Sequence, residues 1–222
     1  MRIARTFLAI VVALGAGALA AQPPAAPAMP APFPLIAPPP PSISKPNPAI
    51  AALQGYFATI RTNLGDLVVE FEPESAPNTV HNFIKLAERG FYDGQRFYCV
   101  FRDRMILAGD PTGTGTGDVG YTIPYEAGRA FHAPGSLATD RLPPGPNSGS
   151  RFFIDLRDQK HLDGNYTVFG RITTGLDVAQ RIGALPTQPN GGRPVPLEDA
   201  VIEEIIVSKK KQAQPEKETK KE

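Results

Sequence analysis

Arg151-Phe152-Phe153-Ile154-Asp155-Leu156, just after Gly149-Ser150, is a short strand-like run, and similar runs lie on both sides of it. Upstream are Arg96–Phe101 and Met105–Ala108; downstream are Tyr166–Ile172 and Ala200–Val207, the last reading as a buried final strand. Nearer the start, Phe57–Ile60 and Leu67–Phe71 flank Asn63-Leu64-Gly65-Asp66, the pattern of an antiparallel hairpin with a Gly-containing turn. Pro77 opens a segment with Val80, Phe83, Ile84 and Ala87 at helical spacing, stopped at Gly90. A second short helix is predicted around Leu176–Ile182. Many short strands separated by Gly/Pro turns, with helices near both ends, indicate a barrel or sandwich carrying two helices.

The globular part, 56–207, is about 150 residues, enough for one substantial hydrophobic core. The whole chain has 222 residues, with 23 Lys plus Arg against 22 Asp plus Glu. A formal charge of +1 leaves no electrostatic footprint for duplex nucleic acid, so no nucleic-acid partner is expected. A lone Cys excludes a disulfide framework within one chain and any multi-cysteine metal centre. His81, His132 and His161 lie too far apart for a helical zinc pair, so no metal is expected.

Three segments flank the globular part. Arg2 and Arg5 precede the small and apolar run Phe7–Ala21, which closes in Ala18-Leu19-Ala20. These are the three regions of a secretory signal peptide, residues 1–21. The alternative is an uncleaved anchor, against which stands the need for about 20 apolar residues to cross a bilayer. The expectation is a periplasmic or secreted protein with no stable membrane span after cleavage. Residues 22–55 form a Pro/Ala-rich linker; 12 of the 25 prolines fall between Gln22 and Pro48, favouring extended polyproline II. Residues 208–222, with six lysines and three glutamates, read as a charged disordered tail.

Gly115-Thr116-Gly117-Asp118-Val119-Gly120 satisfies G-x-G-x-x-G on paper. Dinucleotide binding needs a strand before that motif and a helix N-terminus after it. Tyr121-Thr122-Ile123-Pro124 follows instead, so the segment reads as a glycine-rich surface loop.

From Phe91-Tyr92-Asp93-Gly94 onward the chain resembles the cyclophilins, peptidyl-prolyl cis–trans isomerases (rotamases) built on an eight-stranded barrel. The matching runs continue at Met105, at Gly109-Asp110-Pro111 through Gly117, and at Gly149–Ile154. Further runs are Leu162-Asp163-Gly164 and Val168-Phe169-Gly170-Arg171, and Ala76–Phe83 is similar to the family's first helix. The resemblance implies a mainly β fold: a closed eight-stranded antiparallel barrel with two helices, in a divergent bacterial exported member of the family.

The reaction it implies has a simple physical form. Amide resonance opposes peptide-bond rotation with a barrier of roughly 18–20 kcal/mol. An X–Pro bond populates both isomers and exchanges them slowly. A catalyst of this reaction needs no cofactor, so none is expected. It needs an apolar pocket for the ring and a donor aimed at the prolyl nitrogen, which becomes a better acceptor as conjugation is lost. In the cyclophilins that donor is an arginine, in a Phe-His-Arg-Val sequence. Here Phe97-Tyr98-Cys99-Val100 stands in that place, so Cys99 occupies the arginine position. A family Phe has become Arg104, a family Gln has become Leu107, and another Gln has become Arg151. Met105 and Phe153 are kept, Leu162 is kept beside His161, and Tyr166 stands at a family His. The resemblance therefore implies a proline pocket of Met105, Leu107, Phe153, His161, Leu162 and Tyr166.

Arg151 is the candidate substitute donor, ahead of Arg104 and Arg141, and the alternative for each is a solvated surface arginine. Cys99 reads either as a buried small hydrophobe or, if exposed, as a thiol free to pair between chains. The expected partners are proline-containing peptides or unfolded exported proteins, met by a monomer. Two functions follow: an isomerase weakened by loss of its arginine, or a non-catalytic proline-binding or chaperone module on the same fold. A third possibility is that the Pro-rich arm visits the domain's own pocket.

Overall fold

The computed structural model describes residues 50–127, 130–141 and 145–210. The signal peptide, residues 22–49 of the linker and the tail beyond 210 lie outside the described residues. In chain order the elements are α1 (Ile50–Leu53), β1 (Tyr56–Thr62), β2 (Gly65–Phe71), α2 (Pro77–Ala87), β3 (Cys99–Phe101), β4 (Met105–Ala108) and β5 (Thr122–Ile123). There follow β6 (Ser136–Arg141), β7 (Asn147–Asp155), a 3-10 turn (Lys160–Leu162), β8 (Val168–Thr174) and α3 (Leu176–Gly183). The last elements among the described residues are β9 (Thr187–Gln188), β10 (Val195–Pro196) and β11 (Ile202–Lys209). Among the described residues no helix is long and apolar enough to cross a membrane.

Strands alternate as a half-buried sheet requires: Ala58 and Ile60 of β1 and Leu67, Val69 and Phe71 of β2 all point into the core. The β1–β2 hairpin pairs Thr62 with Gly65, and Thr62 Oγ1 both donates to the Gly65 carbonyl at 2.6 Å and accepts from the Leu64 amide. On α2 the expected stripe of Val80, Phe83, Ile84 and Ala87 is buried. The Phe83 ring stacks on Tyr92 at 5.0 Å and meets Phe152 edge-on at 5.5 Å. Burying such a side chain is worth about 1.5–3 kcal/mol. The helix stops as predicted: Gly90 takes φ +66°, its amide donates to Ala87 O, and the Phe91 amide donates to Leu86 O. No side chain of the local sequence caps the other end. Glu126 does so from a distant loop: Oε1 accepts from the amide and side chain of Asn78, and Oε2 from those of Thr79.

The closed eight-stranded barrel is corrected to an open sheet of nine strands. Their order is β11-β1-β2-β8-β6-β7-β4-β3, with β5 added beside β7. No ladder joins β3 to β11, because the outer edge of β3 is taken up elsewhere: the Val100 amide donates to the Pro194 carbonyl at 2.9 Å. Among the described residues an isolated bridge, Arg96 with Val201, backbone bonds from the Gly94, Phe97 and Ile202 amides and the Arg96–Asp199 ion pair at 3.2 Å cross the seam. This also explains why regular pairing begins at Cys99 rather than at Arg96. The two predicted helices are present as α2 and α3. Two boundaries move. Residues 50–55 of the stretch read as linker fold with the domain, placing Leu53 in the core, and β11 continues through Ser208 and Lys209.

Candidate active site

The β-sheet buries apolar residues on both faces, and the second face makes the site. Val100, Ile106, Leu137 and Ile154 point into the main core. The residues between them point the other way. Register aligns Cys99 with Leu107, Leu107 with Phe153, Phe153 with Ala138, and Ala138 with Val168. This row crosses five strands and forms a separate apolar cluster with Tyr98. Met105, Leu162 and Tyr166 pack against it, partly exposed. The structure thus brings together five of the six residues assigned to the proline pocket: Met105, Leu107, Phe153, Leu162 and Tyr166. His161 is exposed on the 3-10 turn, and a different histidine approaches the floor.

That histidine is His132, whose ring lies nearly parallel to Phe153 at 5.7 Å. Tyr166 meets Phe153 edge-on at 5.4 Å, so the floor ring is held from two sides. His132 is itself fixed: Nδ1 lies 2.7 Å from Oδ2 of Asp155, and both side chains are fully buried. Gln159 Nε2 donates to the other Asp155 oxygen at 2.6 Å. Period 2 along β7 puts Arg151, Phe153 and Asp155 on one face. Rim cation, floor and floor support are therefore successive outward side chains of one strand.

Cys99 is fully buried, which favours the small-hydrophobe reading over pairing between chains. Burial pushes its thiol up to about 11, with Arg193 opposing. Arg151 is not a solvated surface arginine; its side chain is 15% exposed. Its Nε lies 2.9 Å from Asp140 Oδ2 in an ion pair, though the N–H is not aligned for a hydrogen bond. Its Nη1 donates to the carbonyls of Gly115 and Gly117 at 3.4 and 3.2 Å. Burial raises the Asp140 carboxyl above its ordinary range, and Arg151 and Arg193 hold it back from rising further. The other two arginines are engaged differently. Arg141 is buried with its guanidinium 4.0 Å from the Tyr125 ring centroid, and Arg104 is exposed, 6.0 Å from that of Phe101.

The glycine-rich loop is organised by Asp110. Its carboxylate accepts from the Thr112 amide and hydroxyl, the Gly115 amide and the Gly117 amide. Burial pushes this carboxyl up, but the bonds from Thr112, Gly117 and Gly115 outweigh it and hold it below the usual range. The loop leads to Tyr121 and β5 rather than to a helix, as its sequence indicates. Gly109, at φ +87°, lets the loop leave β4 against the Ser150 backbone, where a Cβ would clash with the carbonyl.

Three groups at this rim and floor were not singled out from sequence: His132, Asp140 and Arg193. His132 and Arg193 sit 19 or more residues from Arg151 and Phe153 on other segments, and the strand of Asp140 carries no apolar alternation to announce it. Chemically, the arrangement sets an apolar cluster, bordered by the partly exposed Met105, Leu162 and Tyr166, beside a cluster of hydrogen-bond donors.

The model for the cyclophilin type peptidyl-prolyl cis-trans isomerase family matches residues 57–207. The chain belongs to this family. Peptidyl-prolyl cis-trans isomerase B of Streptomyces anulatus is 38% identical over 170 residues, covering 68% of this chain and 95% of that protein. The Peptidyl-prolyl cis-trans isomerase-like 2 of Cryptococcus neoformans is 40% identical over 158 residues, but the match spans only 27% of its length. A cyclophilin-type isomerase of Cryptosporidium parvum, crystallised in the presence of the dipeptide Ala-Pro, is similar in structure, with TM-score 0.64 and 28% identity. That match covers 69% of this chain and 99% of the other. The open sheet with two helices is thus a cyclophilin fold, and the apolar row lies in a cyclophilin domain whose relatives are named as isomerases.

Proposed function

We propose that this cyclophilin isomerises X–Pro bonds of exported proteins, on the apolar floor centred on Phe153, at a rate lowered by Cys99 in the family's arginine position. The observation that carries the reading is the row Cys99–Leu107–Phe153–Ala138–Val168 with Met105, Leu162 and Tyr166 around it. A proline ring seated on Phe153 leaves the preceding amide at the rim. There a donor stabilises the twisted amide more than the planar one, and so lowers the barrier. Removing one such donor from other enzymes costs about 10²–10³ in rate. Arg151 is two residues from Phe153 on the same face, and is the guanidinium best placed to substitute. The related Cryptosporidium parvum protein was crystallised with Ala-Pro present, which supports a proline peptide as ligand here. Action outside the cytoplasm rests on the leader sequence, Arg2, Arg5 and Phe7–Ala21.

A second reading, a binder with little turnover, is favoured by one observation: Arg151 is already tied to Asp140 and two carbonyls. Prolyl exchange in an Ala-Pro peptide, followed by NMR exchange spectroscopy, separates them. The natural protein should accelerate exchange measurably, and Cys99→Arg should raise the rate by up to about 10²-fold. Peptide binding with no acceleration by the natural protein would establish the binder instead.

A further inference from the structure

We infer that the rim beside the proline pocket selects segments with an acidic side chain one or two residues from the proline, through the paired guanidiniums of Arg151 and Arg193 and the hydroxyl of Tyr98. The inference rests on the reading of the Phe153 row as the proline pocket, and adds a substrate class to it.

Arg193 comes from the loop between β9 and β10, far from Arg151 in sequence, and is half-buried. Its amide donates to Asn190 O, and the next carbonyl, of Pro194, accepts from the Val100 amide, so the loop is fastened along β3. From there Nη1 of Arg193 donates to the Gly115 carbonyl, the same oxygen that Nη1 of Arg151 approaches. The two cations converge on one acceptor. Gly115 permits this: at φ +82°, a Cβ there would lie 2.5 Å from Nη1 of Arg193 and 3.1 Å from Cε2 of Tyr98.

The balance of donors and acceptors decides what fits. Each guanidinium carries five N–H donors. Asp140 and the carbonyls of Gly115 and Gly117 engage only part of these ten. Asp110, the other carboxylate in range of Tyr98, is turned into its own loop with four donors on it. Tyr98 is 4% exposed, and its hydroxyl is buried with no hydrogen-bond partner among the described residues. Burial raises that hydroxyl far above its usual range, so it stays a neutral donor. Two guanidiniums face two carboxylates, so the surplus is of hydrogen-bond donors rather than of charge, in partly buried surroundings. A carboxylate, which accepts two parallel bonds from a guanidinium, satisfies it, and an ammonium does not. Arg151 stands two strand residues from Phe153, roughly 7 Å, which is the reach of about two residues of extended peptide.

The test uses the full-length protein, ¹⁵N-labelled, titrated with end-blocked peptides that carry Glu, Ala or Lys one or two positions before or after a single proline. Glu peptides should bind about fivefold more tightly than Lys peptides at low salt. Their advantage should shrink when ionic strength rises from about 0.01 to 0.15 M, where screening shortens from about 30 to 8 Å. Arg193→Ala should remove most of the preference, and Arg193→Glu should turn it toward Lys. Equal binding of Glu and Lys peptides to the natural protein, or a preference that survives both variants, overturns the inference while leaving the pocket in place. If no proline peptide perturbs the Phe153 region at all, the pocket reading falls and this inference with it.

Discussion

Asp110 shows how much one side chain can organise. Its four accepted hydrogen bonds fold the glycine-rich loop, and that loop presents the Gly115 and Gly117 carbonyls to the rim arginines. Because the folded carboxyl titrates below its unfolded value of about 3.9, its contribution is complete above that pH and is lost as pH falls through the folded value. Asp110→Asn should therefore be less stable than the natural protein at pH 6. The gap should narrow below about pH 4, as read from urea midpoints across that range. At this scale the sequence placed Met105, Phe153 and Leu162, which stand in matching runs, in one group with Leu107 and Tyr166, which replace family residues. The structure packs all five in or against one apolar cluster. The sequence was not legible for His132, which reaches the floor only because Asp155 of β7 holds it from behind. Nothing in a lone histidine foretells such a partner.

Among the elements, α2 depends on a carboxylate from outside its own sequence. Glu126 receives four donors at the helix start, where Ala76 offers none, and its charge also faces the positive end of the helix. Glu126→Ala should cost about 1–2 kcal/mol, measured as a lowered denaturant midpoint with an unchanged slope. The helices and the β1–β2 hairpin were readable because apolar spacing and turn residues are local signals. β6 was not, since Ser136-Leu137-Ala138-Thr139-Asp140-Arg141 lacks apolar alternation. Its polar residues are tolerated because the neighbouring strand and loops supply partners: Arg151 for Asp140, the Tyr125 ring for Arg141, and the Phe131 carbonyl for Ser136.

Across the whole molecule, the sheet path has two ends, and they meet only through short contacts. The Gly94, Phe97 and Ile202 amides carry the seam, whereas β1 is paired on both sides along most of its length. Hydrogen exchange should reflect this: those three amides should exchange before the central amides of β1, followed by NMR at neutral pH. Closure was the part of the fold least open to sequence reading, because it depends on whether β3 offers its edge to β11 or to the loop ending at Pro194. No local pattern encodes that choice.

The apolar row around Phe153 draws one residue from each of β3, β4, β7, β6 and β8, with sequence positions from Cys99 to Val168. Contacts of such long separation close loops before they return any stabilisation, so they come together late. No fragment containing a single hairpin holds more than two of these side chains side by side. A nascent molecule therefore has no assembled row while it emerges, and any chemistry that depends on the row is absent until then. Its competence begins only when its maturation is over.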